Sequence, residues 1–415
     1  MSGVLTRWCV TMSLVLTGLL VLAAPAEAAT VRYASPTGTS GQSCATPATA
    51  CNIEKAFNDA VLDDEIVLAP GTYTPAAELA NDAIGLSLHG TPGQSRPVLV
   101  VSSNNGLLMN GSGAEVADLT IQHSGAGYAL YALSRNAQVS RVEVRSSGAA
   151  ACYAGTSGVF RDSLCVSTGT NGYAVRLGFS SNSSTPSVLQ VRNVTAVATG
   201  PGSVGISTSA GQDANSTLEA RNVVASGETD VVTAVSGNAS STVVLSYSNY
   251  DTVNTSGGGS VTPPGTGTNQ TAAPVFADTT SYHQTRTSPT VDAGTADAAT
   301  GSLDLDGDAR PQGAAIDIGA DELVPDTMSP LTTLGKHPRK HTTKKRARFT
   351  FSSNEPGSTF VCRLDKRKPK PCTSPFRKRL GKLGKHTFRV YAVDSWGNAD
   401  PTPVRFVWRI KPKDG

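Results

Sequence analysis

The sequence predicts an all-β chain, a parallel β-helix followed by a small β-sandwich, and three observations carry that prediction. A strand-like phrase recurs between about residues 98 and 250, the charge balance inverts near residue 326, and the cysteines fall as close pairs. From 326 to 415 there are 22 Lys and Arg against 6 Asp and Glu, whereas 29 to 325 carries 12 against 25. The overall net charge of +3 therefore hides two opposed halves.

The amino end comes first. Arg7 is the only charge in the first eight residues, and the apolar run from Val10 to Ala24 ends in Pro25-Ala26-Glu27-Ala28, a small-x-small cleavage pattern. This reads as a secretory signal peptide over residues 1–28, because a membrane anchor needs about 20 apolar residues and flanking charges. No second apolar stretch follows, so the mature chain is expected to have no transmembrane segment and to be secreted, extracellular or held at a cell surface. Cys9 leaves with the signal. The other six of the seven cysteines pair by proximity as Cys44 with Cys51, Cys152 with Cys165 and Cys362 with Cys372. In an exported chain such spacings predict local disulfides, and the absence of any CxxC argues against zinc.

"CNIEKAFNDAVLDDEIVLAPGTYT" then predicts a short amphipathic helix, N-capped by Asn52, with Ile53, Ala56, Phe57, Ala60 and Val61 on its apolar face. A strand over Glu65 to Ala69 and a turn at Pro70-Gly71 follow. The helix would cover the first open coil and protect its edge.

The phrases are "EVADLTIQ", "QVSRVEVRS", "VFRDSLCVS", "QVRNVTAVA", "EARNVVASG" and "VLSYSNYD". Anchored on Asp118, Arg141, Asp162, Asn193, Asn222 and Asn249, they step by 23, 21, 31, 29 and 27 residues. A period in this range predicts a solenoid, and alternation of apolar and polar residues within each phrase predicts strands with one buried face. Leucine is too sparse for leucine-rich repeats. At about 4.8 Å per coil, roughly ten coils would make a rod of about 50 Å. Asn193, Asn222 and Asn249 are expected to stack as an amide ladder.

"SLDLDGDARPQGAAIDIGADE", residues 302–322, holds six carboxylates and one arginine. An EF-hand fails, since Gly313 stands where the bidentate Glu belongs and Pro311 opposes a flanking helix. The expectation is a closing coil and cap, with Arg310 paired to Asp306 or Asp317 and "AAIDIG" as a terminal strand. A looser calcium site on Asp304, Asp306 and Asp308 is the alternative, and calcium is the sole cofactor candidate.

From 326 the strands "RARFTFSS", "STFVCRLD", "SPFRKRL", "HTFRVYAVD" and "PVRFVWRI" alternate over about 90 residues, which predicts a small β-sandwich.

Two resemblances follow from these stretches. "YASPTGTSGQSCATPATACNIEKAFNDA" with "VLAPGTYT" resembles the opening of secreted bacterial right-handed parallel β-helix proteins of the pectin-lyase-like superfamily. "DLDGDARPQGAAIDIGADE" resembles the closing signature of its choice-of-anchor Q domain proteins. "FTFSSNEPGSTFVCRLD", "PCTSPF" and "HTFRVYAVDSWGNADPTP" resemble a bacterial Ig-like domain, in which Cys362 and Cys372 match an expected pair. The resemblances imply a right-handed parallel β-helix over 29–325 and a small Ig-like β-sandwich over 326–415, on an exported protein. They do not imply a reaction, because the superfamily holds lyases, hydrolases and adhesins.

Catalytic motifs are sparse. A polygalacturonase-like site would need an Asp-Asp pair and Gly-His-Gly, and the chain offers only Asp63-Asp64 and His89-Gly90. Asp118, Arg141, Arg145, Arg161, Asp162 and Arg176 supply lyase-like residue types without a joining motif, and His123 is a lone candidate base. No nucleophile elbow, Walker loop or dinucleotide fingerprint occurs. Tyr128, Tyr153 and Tyr173 precede successive phrases and are expected to form a ladder able to meet sugar rings, or simply to stabilise the sheet. N-x-S/T triplets begin at Asn110, Asn182, Asn193 and Asn215. In the tail, basic clusters containing Lys344, Lys345, Arg346, Lys366, Arg367, Lys368, Arg377, Lys378 and Arg379 would attract an anionic polymer. A nucleic-acid regulator is not expected of an exported chain. The function expected is a binding or adhesion protein for a polysaccharide or envelope polymer, tethered by the basic domain; the alternative is a polysaccharide lyase or glycoside hydrolase.

Overall fold

Six successive solenoid coils turn a corner through one residue held in the left-handed region. In the computed structural model, which describes residues 29–133, 135–178, 185–211 and 214–412, those corners are Asp118, Arg141, Asp162, Asn193, Asn222 and Tyr247, with φ between 48° and 54°. The signal-peptide residues, Cys9 and the Asn182 triplet lie outside the described residues. Five corners coincide with the repeat anchors. The sixth does not: the parallel register sets Arg221 opposite Ser246, so Tyr247 rather than Asn249 faces Asn222.

The corner breaks the expected strict alternation. Buried residues fall two before, one after and three after it, as in Val116, Leu119 and Ile121, or Val191, Val194 and Ala196. Serine takes the middle place in two coils. Ser163 Oγ accepts the Val142 amide at 3.1 Å and donates to Arg161 O at 2.6 Å, and Ser248 does the same with Val223 (3.2 Å) and Ser246 (3.0 Å). Corner side chains also bond from coil to coil. Arg141 clasps Asp118 bidentately (2.7 and 2.6 Å), Asn193 Nδ2 donates to Asp162 Oδ1 at 2.8 Å, and Asn222 Nδ2 donates to Asn193 Oδ1 at 2.8 Å. Asn193 is wholly buried in this ladder, so its N-x-T triplet is an interior feature.

The result is a parallel β-solenoid of about seven turns, rather than ten, because residues beyond Val261 add no further coil strand. A long sheet runs from Val31–Ala34 through Glu65–Leu68, Ser87–Gly90 and Glu115–His123 to Ser260–Val261. A second sheet runs from Leu79–Asn81 to Val253–Thr255. Between them lie in-register columns, Leu88, Val116, Val139, Phe160, Val191, Ala220 and Leu245 from one sheet, and Leu107, Leu130, Cys152, Val175, Ile206 and Val231 from the other. All are buried, each large aliphatic contributing about 1.5–3 kcal/mol relative to exposure. Cys152 and Cys165 bridge the two sheets inside this core.

At the amino end the helix is Ile53–Asn58, with Asn52 Oδ1 accepting the Lys55 amide at 3.2 Å. Ile53, Ala56, Phe57 and Ala60 are buried, and the helix packs on Val31–Ala34, Glu65–Leu68 and Leu79–Asn81. Val61 is exposed instead, because the helix has already ended. Cys44–Cys51 closes the loop ahead of the helix.

The chain forms two compact units that divide between Thr271 and Ala272. The acidic motif forms no terminal strand at "AAIDIG". It folds around Arg310, which pairs with Glu322 at 3.0 Å with both side chains buried. Arg310 also donates to the carbonyls of Gly319 (3.0 Å) and Ala320 (2.6 Å), and Glu322 accepts the amides of Gln312 and Asp317. These added hydrogen bonds to carbonyls and amides help to make such a buried pair tolerable.

The tail strands form as expected. A sheet of His341–Thr342, Val404–Ile410, Gly384–Val393, Thr359–Leu364 and Lys370–Cys372 is accompanied by the pairs Thr332–Leu334 with Phe351–Ser353 and Arg346–Phe349 with Phe376–Arg379. This is a small β-sandwich whose core stacks Phe349 on Phe388 (4.1 Å) and sets Trp408 edge-on at 5.2 Å. Cys362–Cys372 ties two antiparallel strands, and Trp396 sits in the Asp394 turn. Among the described residues no helix is long and apolar enough to cross a membrane.

These contacts set two expectations. Asn222→Ala removes the amide reaching Asn193 and leaves a Cβ residue at φ 54°, so it should lower stability by about 2–3 kcal/mol in urea unfolding. Asn222→Gly, which keeps the corner conformation, should cost less. In the second unit, Asp306 bonded to His283, reinforced by Asp321 and against the opposing effect of burial, pushes that imidazole up to about 9. A raised histidine stabilises fully below its unfolded value near 6.5 and loses that contribution as pH rises through the folded value. The thermal unfolding midpoint should therefore fall as pH rises from about 6.5 to about 9, and His283→Gln should flatten that slope.

Candidate functional site

In the second sheet, Leu130, Cys152 and Val175 face the core, so the next residues of those strands, Tyr131, Tyr153 and Arg176, point away from it as one column, in which Tyr131 and Arg176 are half-buried and Tyr153 is buried. Tyr128 belongs to a neighbouring column with Ala150 and Tyr173. The expected ladder of Tyr128, Tyr153 and Tyr173 is thus corrected. Tyr153 lies off that line, and the small Ala150 leaves room for Tyr128 to lean onto it. Tyr128, Tyr131 and Tyr153 form a triangle with centroids 4.9, 4.5 and 4.7 Å apart, while Arg176 lies 4.4 Å over the Tyr173 ring. Burial, aided by the neighbouring tyrosines, pushes the Tyr153 phenol up to about 12. Its hydroxyl lies over Gly178, where an added Cβ would collide with it. Aromatic faces beside a guanidinium suit a sugar ring carrying an acidic group. Sequence reading missed Tyr131 and named Arg176 only among the lyase-like residue types, although "YALYA" and "YAVRL" place both at the same distance from a phrase-leading tyrosine.

The catalytic candidates are engaged elsewhere. Asp118 and Arg141 hold each other, Arg145 bonds Glu143 at 2.7 Å, and Arg161 stands in register between Ser140 and Arg192. Asp162 is buried under Asn193. His123 is not a surface residue: it is buried, with Nδ1 3.0 Å from Ser146 Oγ and Nε2 3.1 Å from Ser103 O, and burial pulls its pKa down. Asp64 is buried against Arg32 Nε at 2.8 Å and the amides of Thr30 and Val61, while His89 pairs with Glu65 at 2.8 Å.

Asp304, Asp306 and Asp308 do not converge as a calcium loop. Asp304 is buried, with Oδ1 accepting the amides of Asp306 and Asp308 and Oδ2 that of Glu322. Only Asp306 joins another group, with His283 and Asp321, whose ligand atoms lie within 4.8 Å of one another.

The tail holds the most distinctive surface. One cleft of about 720 Å³ is lined by Lys336, Arg339, Lys344, Arg346, Arg348 and Lys411 together with His337 and His341. A second, of about 780 Å³, is lined by Arg363, Lys366, Arg367, Lys382, Lys385, Arg389 and Arg405, with Asp365 its one carboxylate. A third, of about 490 Å³, gathers Arg346, Arg348, Arg377, Lys378 and Arg379. Lys345 and Lys368 are exposed without lining these clefts. Arg346 faces Arg379 and Arg348 faces Arg377 across antiparallel strands, an arrangement that costs stability unless a counter-charge is supplied. Arg363, Arg389 and Arg405 were not singled out from the sequence; their signal is an arginine at the polar place of three alternating strands, in "VCRL", "FRVY" and "VRFV".

Comparison with known proteins adds little. No family model matches the chain, and no curated protein matches it. Among solved structures, the crystal structure of pectate lyase Pel9A is similar at 13% identity and a TM-score of 0.37, over 70% of this chain and 96% of that one. A likeness at that level assigns neither a family nor a reaction.

One prediction tests the tyrosine site. Gly178→Ala should displace the Tyr153 ring, and an ultraviolet pH titration should then show one phenol fewer ionising near pH 12 and one more near pH 10, about the ordinary value for a tyrosine.

Proposed function

We propose that the protein is an exported polymer-binding protein: the basic sandwich tethers it to an anionic cell-envelope polymer or acidic polysaccharide, and the solenoid's tyrosine cluster meets sugar rings. The observation that carries this reading is the set of three concave tail surfaces whose charged side chains are Lys and Arg with the single exception of Asp365, with arginines set directly opposite one another. A protein needing only solubility gains nothing from like charges in register, whereas a polyanion ligand offsets their repulsion and binds through counterion release. Export is supported by the signal-like leader and by three local disulfides, which persist in oxidising surroundings.

The test is retention of the mature chain on immobilised polygalacturonate and on neutral dextran at about 50 and about 300 mM salt, a span wide enough to read a counterion-release slope. Unsaturated and reducing-end products are monitored alongside. Retention on the acidic polymer that weakens at least about tenfold at the higher salt, with no product, is expected. Release of products would replace this reading with a polysaccharide lyase or glycoside hydrolase.

A further inference from the structure

The five-stranded sheet of the tail has an inner face, with Cys362, Leu364, Phe388, Val390, Trp408 and Ile410 in the core, and an outer face that nothing in the unit's core uses. On that outer face the antiparallel register sets Arg363 opposite Arg389 and Arg389 opposite Arg405. Three exposed guanidinium groups therefore stand in one row across three adjacent strands, about 4.8 Å apart from strand to strand. Four residues along, about 14 Å away at 3.4 Å per residue, Lys385, Arg409 and His341 form a second row. The neutral Thr387 and Val407 lie between the rows, and on the far side of the arginines Tyr391 is half-buried opposite Val361. Lys366 and Arg367 wall the cleft. The cleft's one carboxylate, Asp365, is turned to its own loop: Oδ1 accepts the Thr387 amide at 2.8 Å and Oδ2 lies 2.9 Å from His386 Nδ1.

We infer that the row Arg363–Arg389–Arg405 is the docking strip for the anionic polymer, and that the polymer is a uronic-acid polysaccharide lying across the strands. This rests on the tether reading and narrows it. Guanidinium forks recognise carboxylates bidentately, and a row of them fits a chain with a regular succession of carboxylates. The tyrosine beside the row distinguishes the ligand. A polyphosphate has no apolar face to offer Tyr391, whereas a pyranose ring presents one edge of charge and one face of C–H groups.

The experiment uses the full mature chain on immobilised polygalacturonate, with immobilised inorganic polyphosphate as the second arm. Two triple variants remove the same charge from different places: Arg363→Gln with Arg389→Gln and Arg405→Gln, and Lys345→Gln with Lys368→Gln and Lys370→Gln, three exposed lysines that line none of these clefts. The row variant should bind polygalacturonate at least about tenfold more weakly, with the slope of log affinity against log salt reduced by about three, one for each guanidinium removed. The lysine variant, which lowers only the general attraction of the domain, should weaken binding by less than about threefold. Tyr391→Ala should weaken retention on polygalacturonate and leave retention on polyphosphate unchanged. Thermal unfolding midpoints no lower than the parent's establish that the row variants fold, and the single Arg389→Gln serves in place of the triple should it not. Equal losses in the two triple variants would overturn the docking strip while leaving the tether intact. Tighter retention on polyphosphate, or an equal effect of Tyr391→Ala on both polymers, would overturn the uronate assignment. Failure of the parent protein to bind either polymer at low salt would overturn the tether reading itself.

Discussion

The left-handed corner governs the solenoid. A non-glycine residue at φ near +50° is costly in isolation, and this chain repeats the cost in coil after coil, including at Arg141 and Tyr247, where the residue type is unfavourable. The cost is tolerable because the corners are stacked. Each stands against its counterpart in the next coil, and three of the links carry side-chain hydrogen bonds. Once the corners are aligned, a slip of one residue would turn every buried Val and Leu outward. The core columns, the inter-sheet disulfide and the outward column of Tyr131, Tyr153 and Arg176 all inherit their positions from that alignment.

Charge is handled in opposite ways by the two units. On the solenoid, acidic and basic groups find each other: Arg141 with Asp118, Arg145 with Glu143, Arg32 with Asp64. The sandwich instead sets arginine against arginine, and its aromatic core of Phe349, Phe388 and Trp408, stapled by Cys362–Cys372, must hold against that repulsion. Salt should therefore act on the tail twice, steadying the fold by screening while weakening any grip on a polyanion.

How much could be read in the chain beforehand depended on whether the signal was local. The helix cap at Asn52, the three cysteine pairs and the repeat period are carried by neighbours in sequence and were legible, and five of the six repeat anchors fall on residues that the structure shows to be corners. The sixth anchor falls two residues past its corner because "SYSNYD" offers an asparagine to align with Asn193 and Asn222, while the register selects Tyr247. The tyrosine cluster needed the pairing of separate coils, which spacing alone does not supply. "AAIDIG" has the alternation of a strand, yet Arg310 and Glu322 draw the segment into a loop, and that pair has no local signature. The arginine row was hidden for a simpler reason: single arginines at polar strand positions look ordinary until three strands are laid side by side.

The three disulfides span only 7, 13 and 10 residues. None ties one end of the solenoid to the other. Under a pulling load a stack of coils yields by peeling, one ladder at a time, and a bridge withholds only the slack inside its own loop, about 3.5 Å per residue. Oxidation would thus shorten the fully stretched chain by no more than roughly 100 Å on that scale. A protein anchored by its tail in flowing liquid would give way gradually, letting out length coil by coil instead of snapping free, with Cys152–Cys165 marking a midway catch in the unwinding.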